Sequence, residues 1–383
     1  MNGKPWLLVS SLLVLVGCAA TPPAPSSVPW QDAAFQHDPA LVGVGRDDLF
    51  RLEPALAAQL RATRGSATSQ RLDQLLALIF GPDGHGFTYS TGRSTTAMET
   101  WQQRSGNCLS LTVLTYAAAR AMGLPAQMQD VPVPVFYERR GTLELRNEHV
   151  NVLFPGAQRD TAAVVVARDV IIDFEPEQAA PRRGKPLSEA QILARYYNNV
   201  AAEHLEAGRD RAAYAWFKAA VEADPSFAAA YGNLAVVYRR KGLDGAAEQL
   251  LRHALTLADP PDVPLHTLHQ LLADQGRDAE AAHYAQLLQD LRERDPAYWT
   301  GLGLQYLNQG DARRAIGALE RARSMTAGFQ EVHRFLAVAY WRAGEKGKAD
   351  AELAQLAALG GGDAKVSGLR KKFGNAQPEG SSE

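Results

Sequence analysis

The sequence has few cysteines and no excess of either charge. Its 383 residues include two cysteines, and 40 lysines and arginines stand against 42 aspartates and glutamates, for a formal net charge of −2. Binding to a phosphate backbone needs a basic excess, so nucleic acid is not an expected partner. The sequence also lacks His, Cys and carboxylate clusters at metal-ligand spacing and lacks glycine-rich phosphate loops. We therefore expect neither a metal nor a cofactor.

What the sequence does contain is an ordinary globular composition. Hydrophobic residues make up 46% and charged residues 21% of the chain, which argues against wholesale disorder and against a polytopic membrane protein. At about 150 residues per domain, the length predicts two or three folded units.

Residues 1–18 have the features of an export signal. Lys4 precedes an apolar stretch from Trp6 to Val16, which is shorter than the ~20 residues that span a bilayer. The run Leu15-Val16-Gly17-Cys18 resembles the lipobox of bacterial lipoproteins, which implies cleavage before Cys18 and lipid on its sulfur. The alternative is an ordinary secretory signal with a chance cysteine.

The residues after Cys18 fit a membrane anchor. Residues 19–37 begin with a Pro- and Ser-rich stretch and are expected to form an extended tether. The residue after Cys18 is Ala19 and not Asp, and in this the sequence resembles lipoproteins sorted to the outer membrane. The expected location is therefore lipid-anchored, on the outer membrane of a Gram-negative bacterium, facing the periplasm. Lipid on Cys18 would leave Cys108 without a disulfide partner.

A period of 34 residues runs through the C-terminal half, in units that start near residues 194, 228, 262, 296 and 330. The same residue types recur in a glycine column and an alanine column: Gly208, Gly242, Gly276, Gly310, Gly344; Ala213, Ala247, Ala281, Ala315, Ala349. Each unit predicts a helix, a turn where glycine ends it, and a second helix. The pattern resembles tetratricopeptide repeats, which implies an all-α superhelix over residues 188–364. Residues 365–383 are expected to be a C-terminal tail.

The resemblance to tetratricopeptide repeats implies a groove that binds a protein or peptide. The recurring aromatic and leucine positions are interpreted as core. The third unit departs from the pattern, with His269 where a small residue is usual. Residues of the first helices are candidates for partner binding: Asn198, Asn199, Asn233, Arg239, Arg240, Trp341 and Arg342.

Residues 38–187 carry the second cysteine at the predicted start of a helix. The run from Cys108 to Met122 is a strong helix pattern, preceded by Asn107 as the expected cap and closed by Gly123. Free backbone N–H groups and aligned peptide dipoles at such a position favour a thiolate. The same N–H groups can stabilise an oxyanion when the sulfur attacks a carbonyl.

Strand patterns follow the helix, and neighbouring strands could place His149 beside Asp173. The motifs Gly106-Asn107-Cys108, His149-Val150-Asn151-Val152 and Ile172-Asp173-Phe174 together resemble the transglutaminase-like superfamily. That resemblance implies a papain-like α+β domain over residues 38–187. It also implies Cys108 as nucleophile, His149 as base and acid, and Asp173 as the group that orients His149. Asp169 is the alternative for the last role.

Two functions from different classes follow from these features. One is a cysteine-dependent peptidase, amidase or acyltransferase that forms a thioester on Cys108 and uses the repeats to recruit a protein partner or substrate. The other is a non-catalytic scaffold or assembly lipoprotein that binds proteins through its repeats. In both, the fold class is an α+β papain-like domain followed by an all-α tetratricopeptide-repeat superhelix.

Overall fold

The computed structural model describes residues 28–81, 86–131, 137–140, 143–146, 149–156, 169–174, 184–326, 329–359 and 363–375. The export signal with Cys18 and most of the tether therefore lie outside the described residues. The chain divides into two units, Met1–Trp30 and Gln31–Glu383. The first is described only at its end, where the Trp30 amide donates to the Val28 carbonyl at 2.8 Å.

Helices dominate the described residues of the second unit. They are α1 (Asp32–Phe35), α2 (Arg46–Leu49), α3 (Pro54–Ala62), α4 (Thr68–Phe80), α5 (Ala97–Gln103), α6 (Cys108–Met122), α7 (Glu189–Glu206), α8 (Asp210–Ala223), α9 (Ala228–Arg240), α10 (Asp244–Leu257), α11 (Asp262–Asp274), α12 (Asp278–Arg294), α13 (Pro296–Asn308), α14 (Ala312–Met325), α15 (Gln330–Arg342), α16 (Lys346–Ala358) and α17 (Asp363–Asn375). Short 3-10 turns occur at Pro39–Leu41 and Thr63–Gly65. Within this described part, no helix combines the length and apolar character needed to cross a bilayer.

The strands lie between α4 and α7. They are β1 (Thr88–Tyr89), β2 (Ser105–Gly106), β3 (Gln127–Val131), β4 (Tyr137–Arg140), β5 (Leu143–Arg146), β6 (His149–Phe154), β7 (Val170–Ile172) and β8 (Lys185–Leu187). In the described residues, β7, β6, β3 and β8 form one antiparallel sheet in that order. The pair β4 and β5 forms a hairpin, and β1 pairs with β2.

Helices α7 to α16 form five pairs in the described part of residues 189–358, and each pair turns at the predicted glycine. Gly208, Gly242, Gly276, Gly310 and Gly344 all have φ between 70° and 81°. This left-handed conformation suits glycine because it has no Cβ. At the first turn, Gly208 N donates to Leu205 O at 3.0 Å and Arg209 N to His204 O at 2.9 Å. The same pair of bonds closes the first helix of every unit, as in a Schellman motif.

Small residues let the paired helices pack closely. The alanine column is buried throughout, with exposures between 0% and 3%. First helices of neighbouring units also contact each other, as α7 does α9, α9 does α11, and α13 does α15. The first helices of units one to three therefore share one surface, and so do those of units four and five. In the third unit, a ring nitrogen of His269 bonds the Ala281 carbonyl at 2.9 Å, so this departure from the pattern joins α11 to α12.

The repeat array ends in a further helix. Helix α17 occupies the start of the segment expected as a tail, and its Val366 is buried. Phe373 on α17 stacks on Trp341 of α15 with ring centroids 5.1 Å apart. The apolar positions of α17 thus cover the end of the last helix pair, as capping helices of repeat arrays do.

Helix α6 is the centre of the α+β part. It packs against α3, α4, α5 and β6, and its residues Leu111, Val113 and Leu114 are fully buried. Its C-terminal carbonyls receive arginine donors: Arg71 Nη1 donates to Met122 O at 2.7 Å and Arg64 Nε to Ala121 O at 2.9 Å. Cationic side chains at this end also complement the helix dipole.

The segment around α1 packs against the first two repeats. Phe35 is 4% exposed and stacks on Tyr214 of α8 at 4.5 Å and on Tyr238 of α9 at 5.7 Å. Asp32 accepts from Tyr214 Oη at 2.7 Å and from Lys218 Nζ at 2.8 Å. Burial of the Tyr214 ring and the bond to Asp32 raise the pKa of this tyrosine. The segment that follows Gln31 therefore contributes the aromatic side chain of Phe35 to the core of the repeats.

Candidate functional site

Cys108 is the first residue of α6 and is half-buried. As predicted, Asn107 caps the helix: its Oδ1 accepts from Ser110 N at 2.9 Å and from Ser110 Oγ at 2.8 Å. Gly106 is buried, and a Cβ there would lie 2.9 Å from the Ser110 Cβ. Glycine before the cap is thus required by the close approach of the chain to α6.

A row of polar side chains crosses the sheet. In the strand register Gln129 of β3 faces Asn151 of β6, and the register of β6 and β7, extended by one residue, places Asn151 opposite Asp173. Gln129 Nε2 donates to Asn151 Oδ1 at 2.7 Å, and Asn151 Nδ2 donates to Asp173 Oδ2 at 2.8 Å. Gln129 and Asn151 are each 1% exposed. Buried amides in such a row are stable only because each is hydrogen-bonded.

His149 joins this row at Asp173. It lies two residues before Asn151, on the same face of β6, because side chains alternate along a strand. His149 Nε2 is 2.8 Å from Asp173 Oδ1, and the imidazole is 3% exposed. An ionised carboxylate only accepts, so the Asp173 contact favours the His149 tautomer that carries its proton on Nε2. Asp173 is thus placed to fix the tautomer of His149 and to stabilise its imidazolium.

One hydrogen bond relates the cysteine helix to the histidine strand. Thr112 Oγ1 donates to the Val150 carbonyl at 3.2 Å in a buried position. Thr112 lies one turn after Cys108, on the same face of α6, and Val150 directly follows His149. The start of α6 and the start of β6 are therefore adjacent. The roles of Cys108, His149 and Asp173 in catalysis stay a prediction.

The alternative acid, Asp169, lies elsewhere. Its Oδ1 accepts from Gly156 N at 3.1 Å and so closes the turn after β6. Sequence reasoning missed Gln129 and Asn151. For Asn151 a signal is visible in the sequence, because polar His149 and Asn151 alternate with Val150 and Val152 along β6. Strand β3 carries no such signal, since Asp130 directly follows Gln129.

The predicted partner-binding residues make contacts within the chain. Asn233 Nδ2 donates to Asn198 Oδ1 at 2.9 Å, and both side chains are buried. Asn199 Nδ2 donates to Ser94 Oγ at 3.0 Å. The remaining candidates are held by ion pairs, by carbonyls or by ring stacking: Arg239 with Asp274, Arg240 with Asp210 and Leu205 O, Arg342 with Leu307 O, and Trp341 with Phe373. Their part in partner binding stays a prediction.

In the part of the chain that the structure describes, no three His, Cys, Asp or Glu side chains are grouped as a metal site requires.

Comparison with known proteins identifies the repeats. Tetratricopeptide-repeat family models match residues 194–227 and 228–260, and another such model matches residues 306–373. No curated protein matches the chain.

Several solved structures resemble the repeat half. The crystal structure of YrrB, titled as "a TPR protein with an unusual peptide-binding site", is 21% identical and covers 46% of this chain and 92% of its own, with a TM-score of 0.25. Pseudomonas aeruginosa pilF is 22% identical, with coverages of 49% and 85% and a TM-score of 0.27. MamA from Desulfovibrio magneticus RS-1 is 16% identical, with coverages of 43% and 94% and a TM-score of 0.25. These TM-scores are too low to support any argument about function. The family models and the five glycine-turned helix pairs together establish that the C-terminal half contains tetratricopeptide repeats.

Proposed function

We propose that the chain is a scaffold that binds a segment of another protein on the surface shared by the first helices of its repeats. The observation that carries this proposal is the contact between successive first helices, α7 with α9 and α9 with α11, which makes one continuous surface from residues far apart in sequence. Stacked repeats offer such extended surfaces to peptides and protein segments.

A charge reversal on this surface tests the proposal. Peptides selected from a random display library by the full chain serve as probes. Arg239→Glu alters the first helix of the second unit, where Arg239 is 25% exposed beside Asp274. Arg313→Glu makes the same change at an exposed position of α14, a second helix. We expect Arg239→Glu to weaken binding by about tenfold or more, with Arg313→Glu unchanged. Equal effects of the two variants, or no selected peptide, would contradict the scaffold.

A second function is favoured by the hydrogen bond between His149 and Asp173. In this proposal residues 38–187 form a transglutaminase-like, papain-like domain with Cys108, His149 and Asp173 as its catalytic residues. The 2.8 Å contact and the placement of Cys108 at the capped start of α6 support it. A buried histidine and aspartate pair beside a helix that begins with cysteine is the kind of cluster that occurs at catalytic sites.

The chemistry proposed is acyl transfer. The Cys108 thiolate attacks the carbonyl carbon of an amide, the C–N bond breaks, and the amine leaves with a proton from the His149 imidazolium. Water or a second amine then attacks the thioester and gives its proton to His149. The C–S bond breaks and releases the Cys108 thiolate, which completes hydrolysis or transamidation. Backbone N–H groups of the first turn of α6 would bind the oxyanion.

Alkylation of Cys108 tests the thiol chemistry. The rate of reaction with iodoacetamide at pH 7 is followed at Cys108 by mass spectrometry in the full chain. His149→Ala should slow alkylation by roughly tenfold because the thiolate loses its counter-ion. His283→Ala, at an exposed position of α12, is the matched control and should leave the rate unchanged. A wild-type rate equal to that of the unfolded chain, with no effect of His149→Ala, would remove the enzymatic function and leave the scaffold.

Membrane attachment is a further part of the proposal. The lipobox-like run Leu15-Val16-Gly17-Cys18 supports lipid on Cys18 and a periplasmic location at the outer membrane. In a Gram-negative host the full chain should sediment with membranes and incorporate labelled palmitate. Cys18→Ser should do neither, and continued labelling of that variant would contradict lipidation at this residue.

A further inference from the structure

The first repeat helix holds the loop between β1 and α5. Ser94 lies in this loop and is 4% exposed. Its backbone N–H donates to Glu203 Oε1 at 2.9 Å, and its Oγ accepts from Asn199 Nδ2 at 3.0 Å. Asn199 and Glu203 lie one turn apart on α7, so they face Ser94 together. The repeats therefore bond the α+β part through buried and half-buried polar groups.

Ser94 is also bonded to the cap of α6. Asn107 Nδ2 donates to Ser94 Oγ at 2.9 Å and to the Gly92 carbonyl at 3.3 Å. The opposite end of the Asn107 amide, Oδ1, accepts from Ser110 N and Ser110 Oγ. Ser94 Oγ thus accepts from two amides, one on the repeat helix and one beside Cys108. A continuous path of hydrogen bonds leads from α7 to the residue before the thiol.

The next residue of the loop strengthens this junction. Thr95 N donates to Ser110 Oγ at 2.9 Å, and Ser110 is fully buried. Thr95 Oγ1 and Thr100 Oγ1 are 2.7 Å apart. The loop is therefore attached to α6, α5 and α7 at once, and its position decides where the Asn107 amide can point.

Helix α7 also contacts the other half of α6. Glu189, the first residue of α7, accepts from Tyr116 Oη at 3.1 Å and pairs with Arg120. The same carboxylate accepts from Arg46 Nε at 2.7 Å. One repeat helix thus holds both the cap and the third turn of the helix that begins with Cys108.

We propose that Asn199 and Glu203 of the first repeat are positioning residues for Cys108, which act through Ser94 and the Asn107 cap. The geometry that supports this is the shared Ser94 acceptor between the Asn199 and Asn107 amides. The part of the proposal that concerns thiol reactivity rests on the thiol chemistry proposed above. The part that concerns the start of α6 does not.

The physical effect is orientation of the first turn of α6. A cap holds the N–H groups that favour the thiolate and would bind an oxyanion. Without the Asn199 donor, Ser94 loses one of the contacts that fix the loop, and Asn107 loses part of its support. The first repeat is in this way a component of the candidate active site and not a separable adaptor. Its neighbour Asn198, bonded to Asn233 on α9, extends the path toward the second repeat.

The test compares identical substitutions at two asparagines of repeat helices. Asn199→Asp removes the donor to Ser94 and adds one negative charge. Asn308→Asp adds the same charge at an exposed position of α13. The full chain is used, and amide hydrogen exchange of residues 107–112 is measured beside the pH profile of Cys108 alkylation. Ser94→Ala, which removes the shared acceptor, is the second variant in case Asn199→Asp fails to fold.

We expect Asn199→Asp and Ser94→Ala to speed exchange at the start of α6 by roughly fivefold, with Asn308→Asp near wild type. The double variant should add little to either single change because both remove the same path. Cys108 alkylation should shift to higher pH in the same two variants only. Exchange that is unchanged, or equally faster in Asn308→Asp, would overturn the positioning role. Unchanged thiol reactivity in His149→Ala would instead remove the thiol chemistry and leave the exchange result standing.

Discussion

The repeat half and the α+β part of this chain are stabilised in different ways. In the repeats, the same residue types occupy the same places in successive units, and each helix pair packs against its neighbours. In the α+β part, α6 receives contacts from α3, α4, α5 and β6 together. Specific bonds such as Arg71 to Met122 O and His149 to Asp173 then fix the arrangement. Stability is thus distributed along the repeats and concentrated around α6.

Matched core truncations should give the largest effect and test this contrast directly. Leu114 on α6 and Leu336 on α15 are both fully buried. Each change to Ala should cost about 2–5 kcal/mol through lost apolar contact and a cavity. For Leu114→Ala, hydrogen exchange should accelerate throughout α3 to α6 and β6. For Leu336→Ala the acceleration should stay within α13 to α16, because repeats contact mainly their neighbours.

The contrast fails if Leu336→Ala speeds exchange in α6 as much as in α15. Urea unfolding of both variants supplies the free energies against which the exchange rates are compared.

The polar row on the sheet should give the next largest effect. Asp173→Asn leaves His149 Nε2 or Asn151 Nδ2 without its carboxylate acceptor, and both partner side chains are buried. An unsatisfied buried donor costs about 1–3 kcal/mol, which urea unfolding measures. Asp169→Asn is the control, because the Asp169 bond to Gly156 N lies at an exposed turn. If Asp169→Asn lowers the free energy of unfolding as much as Asp173→Asn does, the polar row contributes no more to stability than an exposed turn.

Substitution by alanine should change the stability of the fold in opposite directions at two glycines inside repeat helices. A Cβ on Gly303 would lie 2.4 Å from Leu319 Cγ, whereas a Cβ on Gly317 meets nothing within 4 Å. Gly303→Ala should therefore destabilise the fold by about 1–3 kcal/mol through overpacking. Gly317→Ala should stabilise it by up to about 1 kcal/mol, because alanine favours the helix. Thermal unfolding measures both, and a gain in Gly303→Ala would mean that α13 and α14 do not pack as closely as described.

The repeats were predictable from sequence because their structure is local and repeated. Helix, glycine turn and helix follow one another within 34 residues, so each column reports the same packing position five times. The bounds of α6, with its Asn107 cap and its Gly123 end, were predictable for the same local reason. What the repeat pattern did not show is helix α17, since its sequence lies outside the repeat.

The candidate site was only partly predictable, because it depends on strand register. The pairing of His149 with Asp173 was proposed from strand patterns, but the row through Gln129 and Asn151 requires knowing which residues face each other across β3, β6 and β7. The hydrogen bonds between Ser94 and α7 could not be predicted from the sequence at all. Its partners Asn199 and Glu203 lie more than 100 residues away in sequence, and no local pattern marks a contact of that span.

The pH dependence of the free energy of unfolding at this junction should give the smallest effect, with a direction that follows from the raised pKa of Glu203. Burial raises the pKa of Glu203 above its usual 4.5, with Glu206 acting in the same direction; the bond from Ser94 N and the charges of Arg93 and Arg209 oppose the shift. The folded chain thus binds this proton more readily than the unfolded chain. The stabilisation of the fold by the proton on Glu203 is fully present below pH 4.5 and is lost as pH rises through the raised pKa.

Glu203→Gln keeps an acceptor for Ser94 N and removes this titration. The stability of the variant relative to wild type should therefore rise with pH above 4.5 and level off once Glu203 is ionised in the folded chain. Urea unfolding of both proteins at intervals between pH 4 and pH 8 measures the difference. If the difference is constant over that range, Glu203 is no more buried than an ordinary surface carboxylate, and the junction between α7 and the Ser94 loop is looser than the structure shows. If it follows the predicted course, the first repeat holds the cysteine helix through a carboxylate whose ionisation acts against folding.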